Sequence, residues 1–177
     1  SYYWDFGDGN TSGSSEPKHT YESTGSYTIT LIASCGERAD TTEKTITVKN
    51  PSKVRIAQAD VSGISDTWDS EEFNDTTEQD QFPPDVYIVI QKGSCILFTS
   101  ATKKNLSSGS TYWSVNEDIS NLSGTYSITV YDEDESGSEE IGSFEFQPSD
   151  LFSPGNYPSG ISGGNSDVDI HLSLNWY

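Results

Sequence analysis

Every second residue from Val168 to Trp176 is apolar: Val168, Ile170, Leu172, Leu174 and Trp176 alternate with Asp169, His171, Ser173 and Asn175. A period of two belongs to a strand whose successive side chains leave opposite faces of a sheet. A one-residue slip would turn all five apolar groups to water, so burial fixes the register. The same period recurs along the chain. Tyr27, Ile29 and Leu31 alternate with Thr28 and Thr30, and Ile46 and Val48 with Thr45 and Thr47. Further strands are expected at 54–57, 85–90, 95–99, 111–115, 125–131 and 141–146, where Val, Ile, Tyr, Phe and Thr suit a half-buried pleated surface. The stretch 153–166, rich in Gly, Pro, Ser and Asn, reads as a loop. No segment of helical length carries a 3.6-residue period. The expected fold is all-β: two β-sandwich domains in tandem, residues 1–50 and 51–177, meeting at the linker Asn50-Pro51-Ser52. The two halves show no internal repeat.

The formal charge of −19 over 177 residues excludes a nucleic-acid role, because phosphates would repel the chain. It suits solubility, a saline habitat or cation binding. Apolar residues are scarce at 32%, but aromatics at 12% supply large rings for compact cores. Cys35 and Cys95 fall in different expected domains and are read as free thiols, with a bridge between the domains as the alternative. No Cys/His spacing suits zinc, and no apolar run approaches membrane-spanning length. There is no signal peptide, and the chain reads as a fragment of a longer protein.

The run Trp4-Asp5-Phe6-Gly7-Asp8-Gly9 follows the aromatic strand start Tyr2-Tyr3. Its glycines permit positive φ and its aspartates bond their own backbone, so it is a tight loop closing a strand. Pro17, His19-Thr20-Tyr21, Gly25 and the strand beginning at Tyr27 follow in order. This set resembles the PKD (polycystic kidney disease) repeat, an immunoglobulin-like β-sandwich, over residues 1 to about 50, with its first strands missing. The resemblance implies an extracellular, non-enzymatic module. It gives His19 a structural role, bonding the Asp/Gly loop. Asp5 and Asp8 are read as bonding the turn backbone, with cation binding as the alternative.

The second module carries acids at one end. Asp85 opens a strand after Pro83-Pro84, and Tyr131-Asp132-Glu133-Asp134-Glu135 ends another at an acidic turn, with Glu139 three residues before Gly142. Over roughly 54–148 this resembles the C2 domain, a calcium-and-lipid-binding β-sandwich, in its divergent bacterial form. The resemblance implies a calcium site at Asp85, Asp132, Asp134 and Glu139, with Asp69 or Asp80 as an added ligand. Calcium needs six to eight oxygens at about 2.3–2.6 Å, and Asp132 and Asp134, two apart in extended chain, share a side. Two departures weigh against it: Glu stands at 139 where the family has Asp, and the loop is one residue short. The alternative is a solvated acidic rim. Loop tips that are neither basic nor apolar speak against membrane binding.

His171 alternates with apolar neighbours and should face solvent. Trp68 either stacks on a sugar ring or plugs the sandwich edge. No nucleophile elbow is present, and carboxylates are too numerous to single out a glycosidase dyad. The expected protein is therefore no enzyme. It is a binding or spacer module of a bacterial exported or lipid-anchored protein, at the cell surface, in the periplasm or outside the cell, meeting a protein or carbohydrate ligand. The alternative is the accessory C-terminal region of a larger secreted protease or polysaccharide hydrolase. A calcium-dependent membrane binder is a third, weaker reading.

Overall fold

The computed structural model describes residues 1–64, 84–106, 110–134, 137–153 and 155–177. The chain divides into two compact units, Ser1–Pro51 with Phe152–Tyr157, and Ser52–Leu151 with Pro158–Tyr177.

In the first unit the described strands are β1 (Tyr2–Asp5), β2 (Thr11–Ser12), β3 (Gly25–Cys35) and β4 (Arg38–Val48). They form one antiparallel sheet in the order β2-β1-β3-β4. Tyr27, Ile29 and Leu31 lie in β3, as the alternation requires, but β4 reaches well beyond the expected Ile46 and Val48. Most of β4 is exposed, so no apolar period marks its first half. The packing of this unit is aromatic. Phe6 is buried, the His19 ring stacks on it at 4.2 Å, Tyr21 meets His19 edge-on at 4.7 Å, and Tyr27 stacks on Tyr21 at 4.2 Å.

The second unit holds β5 (Val54–Ser62), β6 (Val86–Lys92), β7 (Cys95–Thr99), β8 (Thr111–Ile119), β9 (Tyr126–Asp134), β10 (Gly137–Phe146), β11 (Gly160–Gly164) and β12 (Asp169–Trp176). Two four-stranded antiparallel sheets, β10-β9-β6-β7 and β11-β12-β5-β8, contribute to one apolar core. The rows that fill it are Val86, Ile88 and Ile90 of β6, Ile128 and Val130 of β9, and Ile170, Leu172 and Leu174 of β12. Every apolar residue of the 168–174 alternation is buried, which is the reason the strand forms.

Three further departures from the sequence expectation each have a physical reason. Strand β5 continues past Ala57 to Ser62, across a bulge between Ile56 and Gln58. The extra residue moves the buried set from Val54 and Ile56 to Ala59 and Val61, so the alternation changes phase while the same face stays inward. Strand β11 lies inside the stretch expected as a loop. It is an edge strand of Gly160-Ile161-Ser162-Gly163-Gly164, and Gly is depleted in strands, so composition hides it. Asp132 and Asp134 belong to β9 rather than to a turn, since the hairpin closes from Asp134 to Gly137.

Candidate functional site

The acids expected to hold calcium gather at one end of the second unit, but in strand register. Asp132 pairs across β9 and β10 with Glu139, and across β9 and β6 with Val86. Directly opposite residues share a face, so Asp132 follows Tyr126, Ile128 and Val130 along the core side, and it is fully buried. Its Oδ1 accepts the Asp85 backbone N–H at 2.8 Å, and the Asp85 carbonyl accepts the Glu133 N–H at 2.9 Å. Glu139 is exposed, and Asp134 is described through its backbone alone.

The Asp85 carboxylate is already engaged. Its Oδ1 accepts the Asn105 N–H at 2.7 Å, and its Oδ2 accepts from Lys104 Nζ at 3.0 Å. The bond to Asp85 raises the Lys104 ammonium above the ordinary lysine value. Residues 100–106 run beside β6: Val86 and Lys103 exchange both backbone bonds, at 2.9 and 2.7 Å, and the Leu106 N–H reaches the Pro84 carbonyl at 2.9 Å. From this strap Lys103 turns to the other sheet. Its Nζ donates to Thr111 Oγ1 at 2.7 Å and to the Tyr112 carbonyl at 2.6 Å, and it lies 5.0 Å from the centroid of the Trp113 ring. Trp113 Nε1 in turn donates to the Ala101 carbonyl at 2.9 Å.

A calcium ion fits this arrangement poorly. It would need Asp85, whose two oxygens are spent on a lysine and an amide, beside Asp132, whose Oδ1 is spent on a backbone N–H. Among the described residues no group of three or more His, Cys, Asp or Glu could hold a metal ion. Asp69, Asp80 and Trp68 lie outside the described residues.

In the first unit, Asp5 Oδ1 accepts the Gly7 N–H at 2.8 Å and Asp8 Oδ1 the Asn10 N–H at 3.0 Å, so both aspartates bond the turn. His19 Nε2 lies 2.7 Å from Asp8 Oδ2, the structural role read from the sequence. Partial burial pushes the Asp8 carboxyl up, but the Asn10 N–H and the His19 ring outweigh it and hold the carboxyl below its usual range. Gly7 sits at φ +78°, and a Cβ there would meet the Thr28 carbonyl oxygen at 2.6 Å, so the loop demands glycine. Cys35 and Cys95 are free and exposed.

A third grouping was missed from sequence because β11 was missed. Register sets Ser162, His171, Asp60 and Tyr112 side by side across β11, β12, β5 and β8. Ser162 Oγ lies 2.8 Å from His171 Nδ1, and Asp60 accepts from Gln58 Nε2 at 2.7 Å. His171 is exposed, as expected, and Tyr112 is 56% exposed. A hydroxyl against an imidazole has the elements of a nucleophile and base. Here both stand on an exposed sheet face, and among the described residues no ion pair joins His171 to Asp60, the third contact that would orient the ring. The row offers a ligand a line of donors and acceptors ending in an aromatic ring.

At the edge of that sheet, Arg55 forks onto Asp118 at 2.6 and 3.1 Å, with Lys53 at 3.5 Å. The Arg55 bond is the main reason the Asp118 carboxyl falls from 3.8 to about 2; partial burial opposes it and Lys53 adds to it.

Solved structures similar to the chain include one titled "Structure of a C2 domain", 13% identical, which covers 70% of this chain and 96% of its own at a TM-score of 0.48. Another is the calcium-bound pair of C2 domains of Extended-Synaptotagmin 2, 16% identical, covering 71% of this chain and 46% of that one at a TM-score of 0.42. Collagenase ColQ1 of Bacillus cereus (strain Q1) is 47% identical over 53 residues, which is 29% of this chain and 6% of that protein. The chain thus spans a small part of its curated relative's length. Residues 1–50 match the family model described as a PKD domain.

Proposed function

We propose that the chain is a non-catalytic binding and spacer region of a bacterial protein that works outside the cytoplasm, at the cell surface, in the periplasm or in the medium. The observation that carries this is the PKD match over residues 1–50, supported by the 47% identity to a stretch of a bacterial collagenase. That relative also favours the second reading, in which the region accompanies a secreted hydrolase acting on protein or polysaccharide. In both readings the partner is a protein or a carbohydrate. The row Ser162, His171, Asp60 and Tyr112 supports a polar ligand, since it combines hydrogen-bonding groups with an exposed ring. Calcium has a narrower place than the four acids Asp85, Asp132, Asp134 and Glu139 suggest, because the Asp85 carboxylate is engaged by Lys104.

The test is co-sedimentation of the full chain with collagen fibrils and a panel of insoluble polysaccharides. Retention on one of them, weakened several-fold in Tyr112→Ala or His171→Ala, is the expected result. Failure to bind any of them removes the ligand-binding reading.

A further inference from the structure

We propose that Lys104 takes the place of a bound cation at the acidic end of the second unit and that Lys103 beside it ties the strap to the opposite sheet, so that residues 100–106 are held by the chain's own ammonium groups and not by metal. The observation is one of position. Asp85, one of the acids the sequence offers for calcium, stands immediately before β6, and there Lys104 Nζ lies at 3.0 Å. An ammonium brings its charge on a flexible stem and needs no further oxygens, whereas calcium must recruit six or more. The preceding residue, Lys103, faces the other way and ties the same strap to β8 of the opposite sheet through Thr111, Tyr112 and Trp113. Thr102 adds a hydroxyl bond to the Glu133 carboxylate, at the end of β9. Three consecutive residues therefore bond to β9, β8 and the start of β6. That cross-linking of separate loops is what a metal does in an acidic cluster, with fixed charges replacing a diffusible one.

The two lysines are unequal. The Lys104 side chain is 74% exposed and its partner 23%, so solvent screens this pair and its loss is felt locally. Lys103 is half-buried and makes two hydrogen bonds, so its loss is felt by the whole unit.

The test is calorimetry and amide exchange of the full chain, in EDTA and in millimolar calcium chloride. The wild type should melt at the same temperature in both. Lys104→Met should speed exchange of the Asn105 and Leu106 amides by about two- to fivefold, the weight of one partly exposed ion pair, while the amides of Ile88 and Val130 keep their protection. Lys103→Met should lower the melting temperature measurably. A wild-type melting temperature that rises with calcium, and ceases to rise in Asp85→Asn, would overturn the proposal by putting the metal where Lys104 sits. So would unchanged exchange at Asn105 and Leu106 in Lys104→Met. Neither result bears on whether the outer sheet face binds a ligand, which co-sedimentation decides separately.

Discussion

Asp132 offers the sharpest test of how the second unit is held together. It is a carboxylate with no solvent exposure, set at the end of a row that otherwise reads Tyr126, Ile128 and Val130. Two effects oppose each other. Taking an ionised carboxylate out of water costs several kcal/mol, which argues that an apolar side chain should do better. Against this, its Oδ1 accepts the Asp85 N–H at 2.8 Å, and the hydrogen bond of a charged group is worth about 1.5–3 kcal/mol. Asp132→Ala removes the acceptor and leaves that N–H to desolvation, a loss of about 1–3 kcal/mol. It also leaves unfilled space beside Val86. Both penalties fall on the variant, while the relief of burying no charge is shared with Asp132→Asn, whose amide oxygen still accepts. That shared relief cancels between the two variants, so Asn should be more stable than Ala. At about 4 °C per kcal/mol for a unit of this size, Ala should melt about 4–12 °C below Asn. Scanning calorimetry at pH 7 reads the shift, and exchange at the Val130 and Ile88 amides assigns it to the second unit. An Ala variant as stable as Asn would show that the acceptor for the Asp85 N–H contributes nothing and refute the reasoning.

Other substitutions probe other parts of the molecule. Arg55 holds the Asp118 carboxyl at about 2 in the folded state against 3.8 unfolded, so its stabilisation is present above pH 3.8 and fades as pH falls through about 2; Asp118→Asn should flatten the stability curve across that window in acid titration followed by circular dichroism, and an unchanged curve refutes the pairing. Gly164→Ala forces φ +134° on a side chain and drives Cβ into the Val168 carbonyl, whereas Gly36→Ala, at φ +61° in the β3–β4 turn, meets nothing; urea unfolding should find the first beyond about 2 kcal/mol and the second within about 1–2 kcal/mol, and equal losses would contradict this account. His19→Ala removes the ring between Phe6 and Tyr21 and the bond to Asp8, so amide exchange at Gly7 and Asn10 should quicken by about tenfold or more while β12 keeps its protection.

The aromatic loop and its histidine were legible in the sequence because their interactions are local: Asp5, Asp8 and Asn10 bond within a few residues, and His19 closes the same loop. Strand β12 was legible because its alternation is unbroken. Strands β5 and β11 were only half legible or illegible. A bulge at Ala57 changes the phase that a period-two reading follows, and a glycine-rich edge strand carries no apolar period at all. The acids Asp85, Asp132, Asp134 and Glu139 were visible as a set, and the register does bring Asp132 opposite Glu139. Their chemistry was not visible, because it depends on Lys103 and Lys104, which no motif marks and which the strap delivers from the far end of β7.

The order of residues alone settled that this chain builds sheets and, where the alternation is unbroken as in β12, which face turns inward, since there alternation and burial are the same statement made twice. Where charges end up is a matter of long-range packing. Whether a carboxylate is a free ligand or a spent one depends on which amine and which amide reach it across the fold, and separation along the chain carries no record of that distance. Tertiary structure therefore decided that Asp85 meets a lysine, that Asp132 lies inside the sandwich, and that Ser162, His171, Asp60 and Tyr112 stand in one row.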